Sequence, residues 1–454
     1  MFKKILIANR GEIAVRIIRA ARELGISTVA VYSEADKNAL HTMLADQAIC
    51  IGPAKSTDSY LNMKSVLSAA IVTGAQAIHP GFGFLSENSK FATMCEEMNI
   101  KFIGPSAQTM DKMGDKINAR AEMIKAGVPV IPGSDGEIFT AEEARAVAER
   151  VGYPIMLKAS AGGGGKGIRK VNTASELEES FSSASQEALS AFGNGAMYVE
   201  KVIYPARHIE VQILGDSQGH VIHLGERDCS LQRHNQKVLE ESPSIAIGTS
   251  LRTEMGDSAV KAAKAVSYEN AGTIEFLLDE ASGKFYFMEM NTRIQVEHPV
   301  TEFVTGVDLV KEQIKIAAGF PLKIQQEDIT IKGHAIECRI NAENPSFHFA
   351  PSPGKITDLY LPSGGVGLRV DSAVYHGYTI PPYYDSMIAK VIVHGEDRFD
   401  ALMKMQRALY ELEIEGIATN VDFQLDLISD KHVIAGDYDT SFLMETFLPH
   451  YHKD

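Results

Sequence analysis

Hydrophobic positions along the first hundred residues switch between two periods. KILIA (4–8) and STVAVYS (27–33) are apolar runs of strand length. Between them RGEIAVRIIRAARELG (10–25) places Ile13, Ile17, Ala20 and Leu24 on one helical stripe, with Gly25 as its stop. Strand, helix, strand predicts a βαβ unit and a parallel sheet. The first turn, ANRGEIA, has one glycine and not G-x-G-x-x-G, so a scaffold role is expected there rather than nucleotide binding. HPGFGFLSEN (79–88) reads as a glycine-rich loop entering a helix, capped by Ser86 or Asn88. Its His79, Gly81 and Gly83 make it an expected functional surface.

Further on, DKINARAEMIKAGVPV (115–130) reads as a helix stopped by Gly127 and Pro129, and residues 131–152 as loop and then helix. YPIMLKASAGGGGKGIRKV (153–171) sets a strand carrying Lys158 before four glycines, Lys166 and a second strand. Such a turn lets backbone N–H groups close on an anion without obstruction. The spacing is wrong for a P-loop. A flexible linker is the plain alternative, but a linker is not usually flanked by two apolar strands and two lysines. A phosphate-binding hairpin acting as a mobile lid is expected.

MYVEKVIYPARHIEVQILGD (197–216) reads as two strands around a Tyr-Pro-Ala turn. In the second, His208, Glu210 and Gln212 alternate with Ile209, Val211 and Ile213, giving one polar and one core face. An alternating histidine alone is usually a solvated face residue; three polar groups in register suggest a site wall. TIEFLLD (273–279) and FYFMEMN (285–291) form a predicted hairpin around EASGK. A symmetric register sets Glu275 opposite Glu289, and like charges so placed repel unless a proton or a cation intervenes. With the amide oxygen of Asn291 they are a hard-ligand set suited to Mg²⁺ held with substrate phosphates. If the chain stays extended, Arg293, Gln295 and Glu297 continue the row on the same face, as an anion-binding arginine and then an acid or base.

Composition narrows the class. The chain has 454 residues, 45% apolar and 23% charged, which suggests about three domains of ordinary globular character. A net charge of −15 argues against a nucleic-acid partner, so an anionic ligand needs a local cationic cluster. Arg227, Arg233, His234 and Lys237 in ERDCSLQRHNQKVLEESPS (226–244) supply a candidate. Cys50, Cys95, Cys229 and Cys338 are scattered without C-x-x-C, which reads as reduced thiols in a cytoplasmic protein. The N-terminus reads as a first strand and not a signal peptide, and no apolar run reaches membrane-spanning length.

A glycine-rich phosphate hairpin, strand lysines and paired acids together resemble an ATP-grasp site. KILIANRGEIAVRIIRAARELG, HPGFGFLSEN, KASAGGGGKG, ERDCSLQR, QKVLEESPS, EMNTRIQVEHPVTE, GHAIECRINAE and YDSMIAKV extend the resemblance nearly end to end. The chain resembles the biotin carboxylase family, the ATP-dependent part of biotin-dependent carboxylases. In size it is similar to the free-standing bacterial subunit of acetyl-CoA carboxylase. The resemblance implies a mixed α/β fold: an N-terminal parallel αβ domain over 1–114, an ATP-grasp domain over 115–330 with its lid at about 131–203, and a C-terminal domain over 331–454. It implies that ATP and bicarbonate give carboxyphosphate, from which CO₂ passes to N1 of biotin on a carrier protein. Lys116, Lys158, Gly164, Gly165 and His208 would hold ATP, and Glu200, Lys201, Val202 and Ile203 would face adenine. Glu275, Glu289 and Asn291 would hold Mg²⁺ or Mn²⁺. Lys237, Arg293 and the backbone of Val296 would bind bicarbonate, Glu297 would deprotonate it, and Arg339 would stabilise the biotin enolate.

The sequence departs from the family pattern at two positions. Asn235 stands where many members have histidine, and would have to make any nucleotide contact carried there. Phe82 stands where many have tyrosine, removing a hydroxyl near the biotin pocket. Met403-Lys404-Met405 matches the core of a biotin attachment site, but Leu402, Met405, Leu409 and Leu412 follow helical spacing, so biotin is expected on a separate carrier. A carboxyltransferase on other chains and a homodimer are expected from the family. Acetyl-CoA is the expected final acceptor, with pyruvate or propionyl-CoA as the alternatives. Another ATP-grasp ligase would keep the lysines and acids without needing Arg339 or the bicarbonate row, and an inactive ATP binder would be expected to lose Lys237, Glu289 or Arg293.

Overall fold

The N-terminal alternation of periods folds as a five-stranded, all-parallel sheet. Its strands are β1 (Lys4–Ile7), β2 (Ser27–Ser33), β3 (Gln47–Gly52), β4 (Ala77–His79) and β5 (Lys101–Phe102), in the order β3-β2-β1-β4-β5. In this computed structural model, which describes residues 1–160 and 167–451, the helix Gly11–Glu23 buries Ile13, Ile17 and Ala20, and Gly25 ends it at φ +72°. The first turn is a scaffold: Arg10 Nε donates to the buried Asp36 at 2.6 Å, and its guanidinium lies 4.3 Å from the Tyr384 ring centre. The 79–88 loop differs from the expectation of a functional surface at His79. That side chain is fully buried and its Nδ1 accepts from Gly81 N at 3.1 Å, because it closes the turn after β4. Asn88 caps the helix Ser89–Glu97 by accepting from Phe91 N.

The chain groups into two compact units. The smaller contains Lys112–Arg207 and Glu275–Glu289. Asp115 caps the helix Lys116–Lys125, and Thr140 with Glu143 forms a capping box on the helix Ala141–Val151. Strands β6 (Ile155–Ala159), β7 (Ile168–Val171) and β8 (Met197–Lys201) form an antiparallel sheet in the order β7-β6-β8 over a core of Leu157, Val171, Phe181 and Val199. The turn at Tyr204-Pro205 does not make a hairpin as the sequence suggests: β8 ends in this three-stranded sheet, and the next strand, β9 (Ala206–Gly215), belongs to another.

The larger unit contains Met1–Asp111, His208–Ile274 and Met290–Asp454. The eight-stranded sheet adds β10 (Val221–Arg233), β11 (Gln236–Ser242), β12 (Asn270–Asp279), β13 (Phe285–Asn291), β14 (His334–Asn341), β15 (Leu368–Ser372) and β16 (Met387–Gly395), in the order β13-β12-β9-β10-β11-β14-β16-β15, with 275–279 of β12 and 285–289 of β13 counted in the smaller unit. The segment 115–330, expected as one domain, is thus shared between the two compact units, because β9 to β11 hydrogen-bond on into β14 and β16. The helix Arg398–Glu411 buries Leu402, Met405 and Leu409, and Lys404 pairs with Asp400 one turn earlier at 2.8 Å. Met403-Lys404-Met405 is therefore helical, not a hairpin tip. Among the described residues all four cysteines are free thiols, and no helix is long and apolar enough to cross a membrane.

Candidate functional site

Both faces of β9 are buried, so the polar face that the sequence predicts is not an open wall. Glu210 and Gln212 are fully enclosed, and His208 Nδ1 lies 2.7 Å from Gln232 Nε2. The reason is Arg227 on β10. It is cross-strand partner to Glu210 and fully buried, donating to Glu210, Gln212, Thr301, Thr273 and Gln295 at 2.5 to 3.1 Å. Arg227 was expected in an accessible cationic cluster; instead its charge is consumed inside the sheet.

Lys237 on β11 bridges two carboxylates, Glu210 at 2.6 Å and Glu297 at 2.7 Å. Arg339 on β14 donates to Glu297 at 2.9 Å and, through Nε, to Glu240 at 2.6 Å. The result is a row of three acids (Glu210, Glu297, Glu240) and three bases (Arg227, Lys237, Arg339), drawn from β9, β10, β11, β14 and the segment after β13. Burial raises the Glu297 pKa, but Lys237, Arg339 and Arg227 outweigh it and hold the carboxyl well below the usual range. Burial prevails at Glu240, which is raised to about 7 despite Arg339. Beside Lys237 and Arg339 opens a small pocket, also lined by Arg233, Asn341 and Phe349.

The polar row after β13 differs from the expected single strand face. Extended backbone stops at Asn291, so alternation ends there; Gln295 and Glu297 turn inward and Arg293 does not follow them. Arg293 donates to Glu87 Oε2 at 2.9 Å and to Asn291 Oδ1 at 3.0 Å. Glu297 stands at the N-cap of the helix His298–Thr305, yet its carboxylate does not cap it and goes to Lys237 and Arg339. The Val296 carbonyl, one residue before, accepts from Lys390 at 2.7 Å. His234 and Asn235, at φ +51° and +64°, form the two-residue turn between β10 and β11, where asparagine suits the left-handed backbone. Phe82 packs against the core beneath the N-terminal sheet.

The smaller unit holds a cleft lined by Lys116, Arg120, Lys158, Tyr198, Glu200 and Glu289. Lys116 opens its helix, Lys158 lies on β6, and Glu200 faces it from β8 with Nζ to Oε2 at 2.5 Å. Lys201 is tied to the carbonyls of Gly152 and Tyr153, and Val202 and Ile203 follow the end of β8. Gly164 and Gly165 lie outside the described residues. Of the expected metal ligands, Glu275 and Glu289 belong to the smaller unit and Asn291 to the larger. Each offers a carboxylate or amide oxygen, the hard donor that a divalent cation takes, and Asn291 Oδ1 accepts from Arg293 at 3.0 Å. Sequence reasoning missed Glu87, Glu240, Glu337 and Lys390; each sits in a quoted motif, but its partner is a distant strand or loop.

Three family models together match most of the chain: the biotin carboxylase N-terminal domain over residues 1–110, the carbamoyl-phosphate synthase L chain ATP-binding domain over 115–325, and the biotin carboxylase C-terminal domain over 337–445. The chain is 60% identical to biotin carboxylase 1 of Bacillus subtilis (strain 168), covering 98% of this chain and 99% of that protein. It is 54% identical to a pyruvate carboxylase subunit of Methanothermobacter thermautotrophicus, over 98% of this chain and 90% of that one. It is also similar to the biotin carboxylase domain dimer of 2-oxoglutarate carboxylase from Hydrogenobacter thermophilus, solved with MgADP, ADP and bicarbonate, with 51% identity, a TM-score of 0.92 and full coverage of both chains.

Proposed function

The chain belongs to the biotin carboxylase family, and from that premise we propose that it activates bicarbonate with ATP as carboxyphosphate and delivers CO₂ to N1 of biotin on a separate carrier protein. The observation that carries this reading is Glu297, buried and held between Lys237 and Arg339. A carboxylate clamped by cations is a weak base. Bicarbonate taking Lys237, and biotin taking Arg339, would each remove a cation from Glu297 and raise its basicity as its substrate proton arrives. Glu297 then accepts the bicarbonate proton, the bicarbonate oxygen attacks the γ-phosphorus of ATP, and ADP leaves; the carboxyphosphate C–O bond breaks to give CO₂ and inorganic phosphate, which takes the biotin N1 proton as N1 bonds to CO₂. Arg339, freed from Glu297 but still anchored by Glu240, faces the oxyanion of biotin.

In this reading Lys237, Arg293 and the Val296 backbone bind bicarbonate. Lys116, Lys158, Gly164, Gly165, His208, Asn235 and the segment Glu200 to Ile203 hold ATP. Glu275, Glu289 and Asn291 hold Mg²⁺ or Mn²⁺, which neutralises phosphate charge when bound. Glu200 keeps Lys158 pre-positioned in the cleft until phosphate replaces it. The domain limits 1–114, 115–330 and 331–454, a homodimer, a cytoplasmic location and carboxyltransferase partners belong to the same proposal. So does acetyl-CoA as final acceptor; the similarity to a pyruvate carboxylase component favours pyruvate as the second choice.

The test is phosphate release from Mg-ATP by the purified chain, with and without bicarbonate and with and without free biotin. Release that requires bicarbonate and rises with biotin is expected. Release indifferent to both would assign the chain to another ATP-grasp chemistry.

A further inference from the structure

Lys390 lies on β16 with no exposed surface. Burying an ammonium is costly unless it is paired and hydrogen-bonded. Its surroundings supply carboxyls from three other elements: Glu12 Oε1 on the helix Gly11–Glu23 at 3.2 Å, Asp371 on β15 at 4.0 Å, and Glu337 on β14 within electrostatic reach. Arg369 on β15 opposes them, and His298, in the helix that follows Glu297, lies within the field of Lys390. Burial lowers the Lys390 pKa, but Glu12, Glu337 and Asp371 outweigh it and keep the pKa above the usual lysine value. The charge therefore persists in the core.

Those carboxyls account for why the charge is tolerated, not for where it points. The shortest polar contact of Nζ, at 2.7 Å against 3.2 Å to Glu12, goes to the carbonyl of Val296. Val296 and Glu297 form the turn that leads into the helix His298–Thr305, past the end of β13 at Asn291. In register, Lys390 is directly opposite Arg339 across β14 and β16. One sheet row thus presents Arg339 to Glu297's carboxylate and Lys390 to the carbonyl beside it. The Glu297 side chain is fixed by Lys237 and Arg339; its backbone is fixed by Lys390.

We propose that Lys390 is a positioning residue for bicarbonate: by holding the Val296 carbonyl it orients the Val296–Glu297 turn that receives the anion. The inference rests on the bicarbonate reading of Val296 and Glu297 given above. A small displacement of such a turn is enough to matter, since about 1 Å at a reacting group can cost about 10²-fold in rate.

The test measures bicarbonate and ATP dependence of ATP cleavage, with thermal melting of each protein, for wild type, Lys390→Met, Lys390→Arg, Glu12→Gln and Glu297→Gln. Lys390→Met removes the donor at similar length. It is expected to raise the KM for bicarbonate about tenfold or more while the KM for ATP stays within about twofold. Glu12→Gln removes a neutralising carboxyl and spares the carbonyl contact; it is expected to lower the melting temperature and leave the bicarbonate KM within about twofold. Should Lys390→Met not fold, Lys390→Arg keeps the charge but moves it off the carbonyl, and carries the same expected KM shift. An unchanged bicarbonate KM in a folded Lys390 variant, or an equal shift in Glu12→Gln, would overturn the proposal and leave Lys390 as a core ion-pair residue. Glu297→Gln separates the two readings: if it retains full bicarbonate-dependent cleavage, the assignment of Glu297 fails, whatever the Lys390 variants show.

Discussion

Glu240 on β11 and Glu337 on β14 are direct cross-strand partners with neither side chain exposed. Two like charges so placed repel strongly. Arg339 serves one oxygen of Glu240; the other oxygen of Glu240 and both oxygens of Glu337 accept no hydrogen bond among the described residues. Burial pushes Glu337 well above the usual carboxylate range, despite Lys390, and Glu240 to about 7. Folding favours the protonated form of both carboxyls.

That assignment makes a stability prediction. A carboxyl whose pKa is raised by folding binds its proton more tightly in the native state. Its contribution is complete below the ordinary glutamate value of 4.5 and is lost as pH climbs through the folded value, about 7 for Glu240 and well above the ordinary value for Glu337. Glu337→Gln mimics the protonated acid. It is expected to match wild-type stability within about 1 kcal/mol at pH 5, and to lose less than wild type on going to pH 8.5, by at most about 1.4 kcal/mol per pH unit. Urea unfolding at several pH values checks this; parallel curves for the two proteins would show that Glu337 is ionised throughout.

Glu297 behaves in the opposite sense. Its pKa in the free enzyme lies well below 4.5, so no acid limb from it is expected in kcat/KM between pH 5.5 and 8. Its stabilising contribution is present above the unfolded value and disappears only as pH falls through the depressed one. Glu297→Gln keeps the shape and removes the base. Bicarbonate-dependent phosphate release is expected to fall about 10²- to 10⁴-fold, with ATP binding by calorimetry preserved. Matching losses in ATP affinity would instead indicate a collapsed site.

The cleft of the smaller unit predicts a separable effect. Lys158 is held by Glu200 alongside Lys116 and Glu289. Lys158→Gln is expected to raise the KM for ATP about tenfold, near 1.4 kcal/mol, with the bicarbonate KM unchanged. Initial rates over a grid of both substrates decide it, and a rise in the bicarbonate KM alone would remove Lys158 from the nucleotide site.

Much of this site was legible because short-range rules apply to it. Apolar runs place Lys158, His208 and Glu210, and the pair Glu289 and Asn291, on strands, and the cap at Asn88 follows from local spacing. The family motifs carry the rest of the residue assignments. Alternation failed where the backbone stopped being extended: past Asn291 the row became a turn, and Glu297 reached Lys237 by another route. Arg227 looked like a surface cation because its partners Thr273, Gln295 and Thr301 lie on distant segments. The Glu240–Glu337 register and the Lys390–Val296 bond are equally non-local. No period within one segment encodes them.

Arg339 is where stability and chemistry can be separated. It neutralises Glu240 through Nε and Glu297 through Nη2, and both acids are buried. Removing it strands them, at a cost of about 3–5 kcal/mol. Arg339→Gln is therefore expected to unfold at lower urea concentration and to lose about 10²- to 10³-fold in biotin carboxylation. Arg339→Lys restores a positive charge but not the fork that spans two acids. Stability should largely return while biotin carboxylation stays low. Bicarbonate-dependent ATP cleavage measured without biotin should stay within about tenfold of wild type in Arg339→Lys, because Lys237 and Glu297 are untouched. Fixation of labelled bicarbonate onto free biotin, set against phosphate release without biotin, gives the two rates. Equal losses in both would place Arg339 in the bicarbonate step and not at the biotin oxyanion.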